Sequence, residues 1–334
     1  MTLTPEQALE RAADAAIHRL RIPTPFAVGR VNCYLIDDKP LTLVDTGPNS
    51  GKALDELQGQ LGSLGHTIDD IELVILTHQH IDHLGLIEIV VQHSGAEVAA
   101  IDVAAERLAN FEEDAELEDA FAVDLMLRNG IPQEVAFALQ SVSRSFRGWG
   151  SRAQVTRPLA DGETIEFGDR TLQVLHRPGH SPSDTVFWDA ARRILLAADH
   201  LIAHISSNPL ISRPLDGSSE RTQALVTYIE SLKETREMPA EVVLSGHGEP
   251  ITDHVALIDD RLAKHERRKE KIFKLIEERP RSGYEIAQAL WGNVAVTQAF
   301  LTLSEVIGHT DLLVNEGRVR EADDGEVIRY ETAG

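Results

Sequence analysis

Apolar residues along the chain repeat every second position in some segments and every three to four in others. Thr4-Pro5-Glu6-Gln7 has the form of a capping box with proline at the first helical position. A short helix is predicted from there to about Leu20, ended by Pro23 and Pro25. From Phe26 the texture is strand-like. FAVGRVNCYLI and LTLVDTG read as two strands joined by the turn Asp37-Asp38-Lys39-Pro40. A helix over roughly Gly51 to Leu64 follows. ELVILTHQH then opens with a run apolar on both faces, as a strand covered on both sides requires. LIEIVVQHSG is helical in pattern, and EVAAID is the next strand.

Residues 103–146 read as helical and lack clear strands. They form an insertion, either a cap over a pocket or an ordinary packed helical pair. Strands return with GETIEFGDRTLQVLHRPGH. DTVFWDAARRILLAADH reads as two strands across the turn Asp189 to Arg193, and EVVLSGHGEP holds the last. After His254, DDRLAKHERRKEKIFKLIEERP is a long charged helix stopped by Pro280. Ser282-Gly283-Tyr284-Glu285 is a second capping box, with a helix to about Leu290. A third helix runs from about Val296 to Val314, and RVREADDGEVIRY is a hairpin with Asp324-Gly325 in the turn. Helices followed by a hairpin form the pattern of a winged-helix unit. The predicted organisation is a first domain over 1–255 and a linker helix with a winged-helix-like unit over 256–334.

Composition narrows the function. The chain has 334 residues, 42% of them apolar, enough for two domains or one large domain with an appendage. Its net charge of -22 repels phosphate backbones and anionic lipid. Cys33 is the single cysteine, which excludes an intramolecular disulfide and fits a reducing compartment. No basic-then-apolar leader opens the sequence, and no apolar run approaches the ~20 residues of a membrane span. The expectation is a cytoplasmic protein with no membrane partner.

The candidate chemistry starts at THQHIDHLG, Thr77 to Gly85. His78 and His80, two apart on extended chain, project to the same side. Asp82 and His83 are adjacent and must diverge. One short loop can therefore serve two neighbouring metal positions. Imidazole and carboxylate suit zinc, iron or manganese better than calcium or magnesium. Partners occur at later strand ends: His180 in RPGH, Asp199 after RILLAA, and His247 in SGHG. Each alone reads as a structural histidine or a turn aspartate. Together, in this order, they read as a metal site.

The order HxHxDH, His, Asp, His, with LVDTG upstream, resembles the metallo-β-lactamase-fold hydrolase superfamily over roughly residues 20–255. The resemblance implies an α+β fold, an αββα sandwich with the site at one edge of two packed sheets. It implies one metal held by His78, His80 and His180, a second by Asp82, His83 and His247, and Asp199 bridging them. Zinc is the expected ion, with iron and manganese as alternatives. Two such metals ~3.5–4 Å apart share a water, lower its pKa from ~15.7 to near 7 and supply the nucleophilic hydroxide. Asp82 would also act catalytically, accepting a proton. Asp45 in LVDTG resembles a residue that orients ligands; equally, it reads as a turn aspartate before Gly47. His204 reads as a solvated loop histidine, or as one reaching substrate.

The same resemblance discriminates among functions. β-Lactamases of this fold generally lack the bridging aspartate. Flavodiiron-type oxygen reductases usually carry glutamate where His80 stands and need a flavin domain. Sulfur dioxygenases of this fold bind a single iron. Glyoxalase II-like thioesterases, lactonases and related esterases share all seven ligands. The expectation is a dinuclear metal hydrolase of a small-molecule ester, thioester or lactone. A metal-dependent endoribonuclease is the alternative, because a similar appendage occurs in a group that includes one. A non-enzymatic winged-helix regulator ranks third. From Lys271 onward the chain has seven Lys/Arg against eleven Asp/Glu. The third helix has no Lys or Arg, and the hairpin carries Asp323, Asp324 and Glu326. A nucleic-acid reader needs the opposite sign there. The tail is read as a packing or dimerisation module, which would give a homodimer.

Overall fold

The structure is a computed structural model, describing residues 3–215, 218, 220–323 and 325–334. Six strands form the first sheet in chain order: β1 (Ile17–Ile22), β2 (Val31–Ile36), β3 (Thr42–Val44), β4 (Leu73–Ile75), β5 (Glu97–Ile101) and β6 (Arg157–Leu159). β1 to β3 pair antiparallel, and pairing is parallel from β3 to β6. The second sheet holds β7 (Thr164–Glu166), β8 (Thr171–His176), β9 (Thr185–Asp189), β10 (Ile194–Ala198) and β11 (Val242–Ser245), ordered β11-β10-β9-β8-β7.

Helices flank the sheets. α1 (Pro5–Asp14) precedes β1, and α2 (Gly51–Ser63), α3 (Ile81–Leu84) and α4 (Ile87–Ser94) lie between early strands in the sequence. α5 (Ala105–Ala109), α6 (Phe111–Arg128) and α7 (Gln133–Phe146) fill the insertion. α8 (Ala224–Arg236) precedes β11, and α9 (His254–Glu278) follows it. The tail adds β12 (Arg281–Ser282), α10 (Gly283–Trp291), α11 (Val294–Thr297), α12 (Ala299–Asn315), β13 (Val319–Asp323) and β14 (Ile328–Thr332).

The strand pattern explains the sandwich. Phe187, Leu196 and Leu244 join Leu35, Leu43, Leu57 and Ile87 in one buried cluster spanning both sheets, α2 and α4. Their neighbours in sequence, Val186, Leu195 and Val243, turn the other way onto Leu225, Tyr228 and Leu232 of α8. With both faces covered, β9 to β11 are apolar at nearly every position. This is the expected αββα architecture.

The structure corrects several sequence expectations. The first helix stops at Asp14, Ala16 takes a left-handed backbone at φ 53°, and Ile17–Ile22 becomes a strand. Alanine-rich sequence favours helix locally, but pairing six residues with β2 outweighs that preference. The strand expected from Phe26 begins only at Val31. The long charged helix begins at His254, capped by Asp253, rather than near Asp259. The third tail helix is divided at Gln298, just after a segment rich in β-branched residues, Val294, Val296 and Thr297. Asp324 of the predicted hairpin turn lies outside the described residues.

The boundary expected near residue 255 falls at the start of α9, and packing runs across it. α12 lies against α6, α8 and α9. Leu303 and Ile307 share one buried cluster with Val123, Met126, Ile211 and Ala224. Among the described residues no helix is long and apolar enough to cross a membrane.

Candidate metal centre

The site collects where strands end. β3 runs into Asp45, β4 into Thr77 and His78, β10 into Asp199, and β11 into Gly246 and His247. His80 caps the short helix α3, which carries Asp82 and His83. His180 lies on the loop from β8 to β9. The two sheets are joined at this edge. Asn32 donates from its amide to the Ser245 and Gly248 carbonyls, both at 2.9 Å, and Tyr34 Oη donates to the Ser245 carbonyl at 2.7 Å.

All seven predicted ligands meet here. Three groups have ligand atoms within 4.8 Å of one another: His78, His80 and His180; Asp82, His83 and His247; and His78, His83 and Asp199. His80 Nδ1 stands 3.1 Å from His78 Nε2 and 3.0 Å from His180 Nε2. Asp199 faces both sets. Its Oδ1 is 3.5 Å from His83 Nε2, and its Oδ2 is 3.7 Å from His180 Nε2 and 3.4 Å from His247 Nε2. Asp82 Oδ2 is 3.3 Å from His247 Nε2. His204 is exposed and stands outside these groups. Its ring packs beside Gly248, where an added Cβ would lie 2.6 Å from its Nδ1.

The far side of four of the five rings is held. His83 Nδ1 donates to Asp45 Oδ2 at 2.7 Å, and His247 Nδ1 to the Arg30 carbonyl at 2.9 Å. His180 Nδ1 donates to the Asn208 carbonyl at 3.2 Å. Thr77 Oγ1 donates to Asp45 Oδ2 at 2.8 Å and so accepts from His78 Nδ1 at 3.0 Å. With Nδ1 engaged outward, the Nε2 atoms of His78, His83, His180 and His247 face the centre. Bonds of this kind hold metal-binding imidazoles in tautomer and orientation. Thr77 and the carbonyls of Arg30 and Asn208 escaped sequence reasoning. Only Thr77 left a signal there, as the first letter of the histidine motif.

The donor set fits divalent transition metals. His83 Nε2 and Asp199 Oδ1 are buried without a hydrogen-bond partner, an arrangement too costly to keep idle. Three ring nitrogens converge at His80 with too few protons to satisfy them all. Burial, reinforced by His180, pushes His80 down to about 3, so it stays neutral and ready to ligate. Burial alone would raise Asp199, but His83 and His247 hold its carboxyl well below the usual range. Burial opposes charge on His247 too, yet Asp199 and Asp82 push it up to about 9. The carboxylates thus attract positive charge to this point. Gly246 keeps the approach open, since a Cβ there would come 2.2 Å from Asp199 Oδ1.

Comparison with known proteins agrees with this geometry. The family model for the metallo-beta-lactamase superfamily matches residues 27–247. Probable metallo-hydrolase YqjP of Bacillus subtilis is 33% identical over 313 residues, covering 94% of this chain and 97% of the relative. Human acyl-coenzyme A thioesterase MBLAC2 is 32% identical over 134 residues, 38% of this chain and 40% of that protein. Among solved structures, metallo-beta-lactamase family protein TTHA1429 from Thermus thermophilus superposes with a TM-score of 0.80 at 27% identity, covering 95% of this chain and 98% of that one. The chain belongs to the metallo-beta-lactamase superfamily.

Proposed function

We propose that the protein is a dinuclear metal-dependent hydrolase that cleaves an ester, thioester or lactone of a small molecule. The observation that supports this best is Asp199, whose two carboxylate oxygens turn toward both histidine sets. His78, His80 and His180 would hold one ion, Asp82, His83 and His247 the other, with Asp199 shared; zinc suits these donors, as do iron and manganese. Metals bound there would supply Lewis acidity for activating water and polarising a carbonyl. The chain's own residues do the rest. The pairs His83–Asp45 and His247–Arg30 keep ring geometry constant. Asp82, kept as a carboxylate by His247 and His83 against the opposing effect of burial, is able to accept a proton during turnover. An apolar cavity beside His80 and His180 favours a carbon chain over a phosphodiester backbone. The thioesterase name of the human relative supports the same bond type.

The test combines metal analysis with a substrate panel. The purified chain should carry about two transition ions, and Asp199→Ala should lose ester and thioester turnover together with metal. A metal-loaded protein that cleaves RNA but none of the esters, thioesters or lactones would overturn this reading.

A further inference from the structure

The helical insertion, the loop after β10 and the C-terminal helix α12 line a partly open cavity of about 200 Å³ against the candidate metal centre. His80 and His180 form one wall. Leu108, Phe111, Leu210, Ile211 and Phe300 line much of the remainder. Arg107, a cation lining it, is already engaged. Its Nη2 donates to the Arg213 and Pro214 carbonyls at 2.7 Å, its Nε lies 3.3 Å from Asp114 and its Nη1 3.7 Å from Glu118. An anionic group entering this space would therefore meet apolar side chains and carboxylates.

We propose that this cavity binds the acyl side of the substrate as a short, uncharged apolar chain, and that Phe300 sets the length it accepts. This rests on the ester-type reading above. The carbonyl carbon has to reach the metals, so the chain attached directly to it is the first part of the substrate to pass the wall of His80 and His180. The volume lies below the ~300–1,000 Å³ of ordinary ligand pockets, so a short chain is enough to fill it. Phe300 comes from the tail, and its position is fixed by two bonds to the loop. Ile211 N donates to Ser304 Oγ at 3.4 Å, and Asn208 Nδ2 donates to the Leu301 carbonyl at 3.3 Å. The Phe300 ring is half-buried at the edge of the cluster it packs against, so shortening it opens the cavity while the fully buried side chains stay in place.

The experiment compares the metal-loaded wild type, Phe300→Ala and Phe300→Trp on thioesters of one thiol, from acetyl to palmitoyl. In parallel, calorimetry follows binding of the matching free carboxylates. The wild type should favour short chains. Phe300→Ala should raise the ratio of long-chain to short-chain kcat/KM by about tenfold or more, the scale of added methylenes in a hydrophobic pocket. Phe300→Trp should move the preference shorter, and carboxylate affinities should follow the same order. Unchanged chain-length profiles in both folded variants would overturn the proposal. If the wild type hydrolyses no ester at all, the earlier reading falls, and the carboxylate series still decides the cavity's role by itself.

Discussion

Asp45 is where residue-scale chemistry resolves what spacing left open. As a turn aspartate it would need only its backbone, which is left-handed at φ 58°. Its buried carboxylate does more, accepting from Thr77 N at 2.9 Å and Thr77 Oγ1 at 2.8 Å while taking the His83 Nδ1 proton. Through those bonds it orients His78 and His83, one ligand from each set. Asp45→Asn keeps the shape, and asparagine tolerates the left-handed backbone. The charge lost should weaken metal binding by about 10–100-fold. Competition against a chromogenic chelator measures this, and equal affinity in variant and wild type would reduce Asp45 to a turn residue. The seven candidate ligands that the structure brings together were legible because ligand types recur at strand ends in a fixed order. Of the partners that orient them, Asp45 was legible as one of two readings; the Arg30 and Asn208 carbonyls were not, because backbone carries no side-chain signature.

At the scale of elements, α9 and α12 meet through a buried histidine pair. His265 Nδ1 lies 3.3 Å from His309 Nε2, and His309 Nδ1 donates to the Glu305 carbonyl at 2.6 Å. The Glu305 carboxylate is turned to Arg268 at 3.1 Å, so this trio serves packing. Burial pushes both imidazoles down to about 4, and Arg268 adds to that effect on each. The unfolded chain takes up protons near pH 6.5, whereas these folded rings resist until about 4. Their effect on stability is therefore nil above pH 6.5 and grows adverse as pH falls through that window. Replacing His309 with Gln should shrink the loss of urea stability between pH 7 and pH 5 by roughly 1–2 kcal/mol. An identical loss in the variant would assign the acid sensitivity to other groups. Such element-level detail was only partly legible. The long helix and its stop were readable from Pro280, but β1 was hidden because its identity depends on a partner strand rather than on its own residues.

For the whole molecule, the decisive relation is between the tail and the catalytic sandwich. A winged-helix texture read along the chain suggests an appendage that could be removed. In three dimensions α12 is shared property. Ala299, Leu303 and Ile307 pack with Val123 and Met126 of α6, Ile211 of the active-site loop and Ala224 of α8. Asp311, buried on α12, takes a bidentate pair from Arg221 at 2.7 and 2.5 Å. Sequence could not reveal this, because apolar stripes state that a face is covered without naming the cover. Removing residues 256–334 would uncover that cluster, unpair Arg221 and strip Phe300 from the cavity wall. Exposing fully buried apolar side chains costs roughly 1.5–3 kcal/mol each, and several together are a large part of the ~5–15 kcal/mol that holds an ordinary domain together. The truncated chain should therefore be insoluble or bind a hydrophobic dye. The intact protein should unfold in a single calorimetric transition, with van't Hoff and calorimetric enthalpies equal. Two separate transitions, together with a soluble truncated chain that keeps metal and turnover, would show that the tail is independent of the catalytic fold.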